Sequence, residues 1–338
     1  MKPIPIRSYA GHFMLDGITY YIKYIDSYTN GVNAFVVKCN FMCVDGLIDD
    51  NKIISSKKLF LYKRFFDKNN YIKEKITVNN ITTKFNNFNY DFYHKIVYYD
   101  DLNNVLIYDY LGETLNENFD LKSFDLISKL KIFKSIVEFC IVLKNYDILH
   151  NDIKPDNIVI NNNYNVGLLV DYGNTLDHHS LKFGNFFDTT IWSASPEYYI
   201  INEMMDNNTY DYDDKNTKSM IFKSQIFPLA GILIGLVKND INYYFKTFYK
   251  YIYIDKKDDE NMSNRFSNFN VSKNNKLVDG ITQILNTMSK ILVNDFRNIY
   301  NLIEKMLTID FTDRISLEDI SLELDNIINS KIDQIEAL

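Results

Sequence analysis

A mixed α and β chain, with a β-rich N-terminal third ahead of a larger helical remainder, is predicted by three features of the sequence. Two runs rich in β-branched and aromatic residues, Ile18–Ile25 and Ala34–Lys38, flank Asn30-Gly31, the strongest short-range hairpin signal. From Phe124 to Leu149, apolar residues at Leu126, Leu130, Phe133, Ile136, Val137, Cys140, Ile141 and Leu143 leave hardly any polar face, the mark of a buried helix. The change of character falls near residues 109–113, with no linker between the two parts.

Composition narrows the class further. At 338 residues, 46% hydrophobic and 24% charged, the chain can bury a sizeable core and is not disordered. Its 37 Lys and Arg against 44 Asp and Glu give a net charge of −7, which argues against a dedicated nucleic-acid binder. Cys39, Cys43 and Cys140 are too few for a disulfide framework, and Cys39-x3-Cys43 lacks the second ligand pair of a zinc site. Reduced thiols and a cytoplasmic location are expected. The first residues, Met1 to Ser8, carry no apolar leader. The most apolar stretch, Ile226–Val237, is 12 residues, short of the roughly 20 that span a bilayer, so a core helix and no membrane span are expected. The Asn, Ile, Lys, Tyr and Phe bias reads as that of an AT-rich genome.

The elements follow in order. After the hairpin, Asp49-Asp50-Asn51 caps a predicted helix over Lys52–Phe66, with Ile53, Ile54, Leu59, Tyr62, Phe65 and Phe66 roughly on one face. Lys75–Phe85, with its Ile, Thr and Val residues, reads as a second hairpin. Tyr93–Tyr99 and Val105–Tyr110 read as strands joined by the Asp101–Asn104 turn. Beyond the buried helix come two short strands, Asn157–Ile160 and Val166–Val170, then mainly helix. Two polar segments, Asp206–Lys218 and Asp255–Asn275, read as surface loops.

At the end of the buried helix stands His150-Asn-Asp152-Ile-Lys154-Pro-Asp-Asn157. A carboxylate, a cation two residues on and an amide five residues on, held in one tight loop, suit phosphoryl transfer, which needs positioning and charge neutralisation more than covalent help. Asp152 would accept the hydroxyl proton, Lys154 would neutralise the transferred group and Asn157 would hold a metal. Downstream, Leu168-Leu-Val-Asp171-Tyr-Gly173 puts a second acid at the end of an apolar strand, placed to hold Mg²⁺ against phosphate oxygens.

Together these residues resemble the eukaryotic-type protein kinase family. His150-x-Asp152-x-Lys154-x-x-Asn157 is similar to its catalytic loop and Asp171-Tyr-Gly173 to its Asp-Phe-Gly motif. Ser195-Pro-Glu197 is similar to the Ala-Pro-Glu that closes the activation segment, and Met306–Arg314 to the late motif whose arginine pairs with that glutamate. The resemblance spans about residues 13–325. It implies a two-lobed protein-kinase-like α+β fold, with a small β-rich lobe over about 13–110, a large helical lobe over about 113–325, and a helical tail over 326–338. It also implies ATP and Mg²⁺ as cofactors, bound in the cleft between lobes, and protein substrates bearing Ser or Thr. Thr190 falls where Ser/Thr-directed members keep a threonine. Asp109 to Leu111 would supply backbone hydrogen bonds to adenine, with Tyr108 as a bulky residue behind. The short Leu111–Leu115 segment is similar to the casein-kinase and vaccinia-related branch, which with the compositional bias implies a large DNA virus as source. A kinase-shaped binding module without turnover, and a choline- or aminoglycoside-type kinase, are the rival readings.

The sequence also departs from the family pattern. The nucleotide-covering loop would be Leu15–Tyr21, with Gly17 its one glycine. Lys38 is the expected phosphate-contacting lysine, because 52–66 reads as helix and 75–85 as hairpin. Asp50 is then its acidic partner. Lys63, pairing with Glu74, is the alternative.

Asn151 stands where many family members keep the arginine that reads a phosphorylated activation loop. Activity is therefore expected without such phosphorylation. Protein made in bacteria and treated with phosphatase should transfer phosphate at an undiminished rate; inert protein that a second kinase switches on would refute this.

Overall fold

A computed structural model describes residues 4–5, 7–9, 12–15, 18–30, 33–44, 53–55, 59–85, 95–115, 119–161, 165–182, 195–247, 275–292 and 296–336. The chain is α+β and divides into two units: Met1–Gly112 with Asp171–Gly173, and Glu113–Val170 with Asn174–Leu338.

The first unit is built on one sheet. Its strands are β1 (Ile4–Pro5), β2 (Arg7–Tyr9), β3 (His12–Leu15), β4 (Ile18–Asn30), β5 (Ala34–Val44), β6 (Ile53–Ser55), β7 (Phe60–Phe65), β8 (Ile96–Asp100) and β9 (Val105–Asp109). They lie in the order β1-β8-β9-β7-β5-β4-β3-β2, with β6 on β5, so the sheet begins upstream of the expected boundary at residue 13. Strands β4 and β5 pair antiparallel down to Asn30 opposite Phe35, as the hairpin signal requires. Inward positions Ile22, Val37, Cys39, Phe60, Tyr62, Val105 and Ile107 form one buried cluster. The Asp101–Asn104 turn is tied by the Asp100 carboxylate, which accepts the N–H of Leu102 at 2.9 Å and of Asn103 at 3.2 Å.

Two expectations are overturned here. The predicted helix over Lys52–Phe66 is instead strands β6 and β7. Phe60 and Tyr62 alternate inward, and β7 gains ladders on both sides, from β5 and β9, which a helix could not offer. The predicted hairpin over Lys75–Phe85 lies inside a helix, α1 (Lys68–Phe85). Tyr71, Glu74, Val78 and Ile81 are buried at helical spacing, and that stripe overrides the β preference of the Ile, Thr and Val residues. Asp67 starts the helix, its carboxylate accepting the N–H of Asn69 at 2.8 Å and of Asn70 at 3.0 Å.

The second unit opens with β10 (Glu113–Thr114), which joins β11 (Ile158–Asn161) and β12 (Val166–Leu169) in a small antiparallel sheet. Around it stand α2 (Leu126–Asn145), α3 (His178–Lys182), α4 (Pro196–Asp206), α5 (Lys215–Lys223), α6 (Ile226–Lys238), α7 (Asn275–Ile291), α8 (Arg297–Met306) and α9 (Leu317–Glu336). The Asp125 carboxylate caps α2 through the Ser128 N–H at 2.7 Å. Lys215–Lys238 is long and apolar enough to cross a membrane by composition, but 83% of its apolar window is buried inside the unit, as a core helix requires. In α6, a Cβ at Gly235 would meet the Ile241 backbone at 2.7 Å, so only glycine lets the chain turn back so closely. The polar segment Asp206–Lys218 is a loop only to Asp214; from Lys215 it is helical, and its Tyr212 is buried. The other polar segment lies outside the described residues up to its last position. Burial pushes the thiols of Cys39 and Cys140 up to about 12, so both stay protonated near neutrality.

One buried ion pair ties the helices together. Arg314 and Glu197 are 0% and 1% exposed and meet in two parallel bonds of 2.6 and 2.8 Å. The other Arg314 donors reach the carbonyls of Thr308 at 2.7 Å, Ile309 at 2.8 Å and Lys223 at 3.2 Å. All five guanidinium hydrogens are thereby used, which is what makes burial of the cation tolerable. Replacing Arg314 by Met should strand the Glu197 carboxylate and cost about 3–5 kcal/mol, read from urea denaturation. A loss below about 1 kcal/mol would mean that the pair is solvated.

Candidate functional site

Within the first unit, strand alternation decides which side chains share a face. Lys63 lies opposite Leu106, and Leu61 opposite Tyr108, in the β7/β9 ladder. Lys63 and Tyr108 therefore stand on the face away from the Tyr62 cluster. Glu74, on the buried stripe of α1, meets both. Lys63 Nζ donates to Glu74 Oε1 at 2.9 Å and Oε2 at 2.7 Å, and the Tyr108 hydroxyl donates to Glu74 Oε1 at 2.6 Å. Lys63 Nζ also donates to Asp171 Oδ1 at 2.8 Å. Glu74 is 2% exposed whereas the Asp171 side chain is 47% exposed, so the ammonium bridges a buried acid and an open one.

The electrostatics follow from that placement. Burial alone would lower the Lys63 pKa, but the Asp171 and Glu74 carboxylates outweigh it and hold the amine above its ordinary value, so it stays charged. Burial raises Glu74, opposed by the Lys63 ammonium. The Tyr108 hydroxyl, buried beside an acid, is pushed well up and remains a donor.

Lys38, the lysine preferred from sequence, lies elsewhere on the sheet. Its Nζ donates to the Tyr110 hydroxyl at 3.1 Å and sits 4.3 Å from that ring centre. The expectation for Lys38 rests on a helix at 52–66 and a hairpin at 75–85, where the chain instead forms strands β6 and β7 and helix α1. Asp50, its expected partner, lies outside the described residues, as do Gly17 and Thr190. Asp109 closes β9 opposite Phe60. The Tyr110 N–H is taken by the Leu59 carbonyl at 3.2 Å, and Leu111 follows in the irregular stretch that ends the unit.

The second unit brings Asp152, Lys154 and Asn157 together. Asp152 Oδ2 accepts from Lys154 Nζ at 2.8 Å and from Asn157 Nδ2 at 2.9 Å, and the same amide reaches the Asp152 carbonyl at 2.9 Å. Asp152 is 3% and Asn157 4% exposed. Pro155–Asn157 form a single 3₁₀ turn, and the Asn157 carbonyl accepts the Val170 N–H at 2.9 Å. His150, wholly buried, donates from Nε2 to the Val170 carbonyl at 3.1 Å. The loop is thus pinned to the end of β12 from both sides. Asn151 and Asp171 adopt left-handed backbone, with φ of 62° and 64°, which Asn and Asp tolerate better than other non-glycine residues. Asp152 is thus a buried carboxyl group held in place by a cation and an amide.

The sequence alone offers Glu74 only as the partner of the alternative lysine, Lys63, and Tyr108 only as a bulky residue. The signal for both lay in strand alternation from Phe60 to Phe65, which puts Lys63 opposite Leu106 and so beside Tyr108.

Removing the Tyr108 hydroxyl should leave Glu74 with one donor fewer. Tyr108→Phe is expected to lower stability by about 1–3 kcal/mol in urea denaturation and to speed hydrogen exchange along α1. Unchanged exchange there would mean that the bond does not hold the helix. The chain matches no model of a known protein family, and no curated protein matches it significantly, so its function is read from its own residues.

Proposed function

We propose that the chain is an ATP-dependent protein kinase of the two-lobed fold, moving the γ-phosphoryl group of Mg·ATP to Ser or Thr hydroxyls of protein substrates. The observation that carries this reading is Lys63, ion-paired at 2.7 Å to Glu74 of a helix and at 2.8 Å to Asp171 of Asp-Tyr-Gly. That is the lysine, glutamate and aspartate set on which phosphoryl transfer in protein kinases depends. Lys63 therefore replaces Lys38 as the phosphate anchor in this proposal, and Glu74 replaces Asp50.

The other half of the chemistry falls to the second unit. Asp152 takes the hydroxyl proton as the substrate oxygen bonds to the γ-phosphorus and the bond from that phosphorus to the bridging oxygen breaks, releasing ADP. Lys154, already 2.8 Å from Asp152, neutralises charge on the transferred group. The donor set suits magnesium. In the second unit Asn157 spends its amide hydrogens on Asp152, which leaves its oxygen as a ligand atom, and in the first unit Asp171 offers a carboxylate; each is a hard oxygen donor. When bound, magnesium would supply charge neutralisation along the phosphates.

The full chain incubated with radiolabelled Mg·ATP and casein should label Ser or Thr. Asp152→Asn and Lys63→Met should each reduce transfer by about 100-fold or more, while Lys38→Met should leave it within about threefold. Nucleotide binding with no transfer would overturn the enzyme in favour of a binding module. Transfer to choline or an aminoglycoside, with none to protein, would overturn the substrate class.

A further inference from the structure

A cavity of about 540 Å³ opens in the second unit between the end of α2, one face of α5 and the start of α9. Lys144, Asp147, Lys215, Lys218, Ser219, Phe222, Lys223 and Ser316 are among its lining residues. On α5 the spacing 215, 218, 219, 222, 223 is that of a single helix face. A face turned to the core would carry apolar residues there. This one turns three ammonium groups, a hydroxyl and one ring toward the cavity.

The charges do not cancel. Lys144 is paired with Glu318 at 2.7 Å and Lys218 with Asp147 at 2.6 Å. Lys223 is held only by neutral groups, the carbonyls of Arg314 at 2.6 Å and Phe311 at 2.9 Å. Burial lowers its pKa and neighbouring Arg314 and Lys144 add to that, with Asp319 and Asp310 pulling the other way. Lys215 makes no ion pair among the described residues, although Asp214 precedes it and caps α5 through the Thr217 N–H at 2.7 Å. A surplus of positive charge is therefore concentrated in a concave site, on a protein whose net charge is −7. Such a hollow focuses its field on an anion. Its volume is that of a small-ligand pocket, and Phe222 and the lysine stems give it apolar walls.

We infer that this cavity binds a phosphate-bearing ligand carrying more than one negative charge, with Lys215, Lys218 and Ser219 reaching it from α5 and Lys144 from α2. The inference does not rest on the phosphotransfer reading, since every lining residue lies in the second unit and none belongs to the Asp152 loop. Phosphate rather than carboxylate fits best because several separate donors converge, and a phosphate offers three oxygens to them.

Calorimetric titration of the full chain in low salt tests it. One arm uses inorganic tripolyphosphate, and the other a short phosphoserine peptide beside its unphosphorylated twin. Saturable binding is expected in at least one arm, weakening as salt rises. Which arm is tighter tells a free phosphate compound from a phosphorylated chain. Lys215→Glu and Ser219→Asp, both at exposed positions of α5, should each weaken it about 10-fold or more with an unchanged melting temperature. Lys63→Met should leave it intact, which separates this cavity from the proposed nucleotide site. Absence of saturable binding in both arms, or binding that survives both α5 variants, would overturn the inference, as would binding lost only in Lys63→Met.

Discussion

Hiding the Glu74 carboxylate from water is the constraint around which the first unit is organised. An uncompensated buried charge costs several kcal/mol, so the carboxylate must meet its donors at hydrogen-bonding distance or leave the interior. Lys63 and Tyr108 meet it, from two neighbouring strands, and they can do so only if α1 is a helix whose inner stripe holds Glu74 beside Tyr71 and Val78. Register between β7 and β9, the start of the helix at Asp67 and the alternation along β7 are all consequences of that one requirement. Each can be changed only by exposing or orphaning the acid.

The second unit meets its own burial problem in a different way. Its small sheet presents no long edge on which to organise helices, so apolar packing around α6 does that work, and the buried charged groups within it are held by bonds of their own. Arg314 with Glu197 is one of them. The Asp152 loop is another: Asp152, Asn157 and His150 are all buried, and each is tied to a carboxylate, an amide or a backbone carbonyl. A loop built this way is held by its own side chains before any ligand arrives.

Much of this was legible in the chain itself. Asn-Gly between two β-rich runs marked the hairpin, the all-round apolar pattern marked α2, and the short-range spacing from His150 to Asn157 brought three side chains into one loop. Short-range features of that kind carry their geometry with them. The failures fell where local preference and tertiary packing disagree. Residues 52–66 contain enough apolar positions to satisfy a helical or an extended reading, and only the neighbouring strands choose between them. Residues 75–85 are rich in Ile, Thr and Val, which favour strands, yet Tyr71, Glu74 and Val78 begin a stripe that reaches beyond the window in which those preferences are counted. One mistaken element then carried a second error with it, since the choice between Lys38 and Lys63 followed from the secondary structure assigned around them.

Lys223 and Arg314 clasp each other in both directions: the lysine ammonium rests on the arginine carbonyl at 2.6 Å, and the arginine guanidinium reaches the lysine carbonyl at 3.2 Å. Arg314 in turn grips Glu197 at the head of α4. The wall of the lysine-rich hollow and the root of α4 are thus joined by a rigid linkage two side chains long. A load on that wall is therefore also a load on the anchorage of α4.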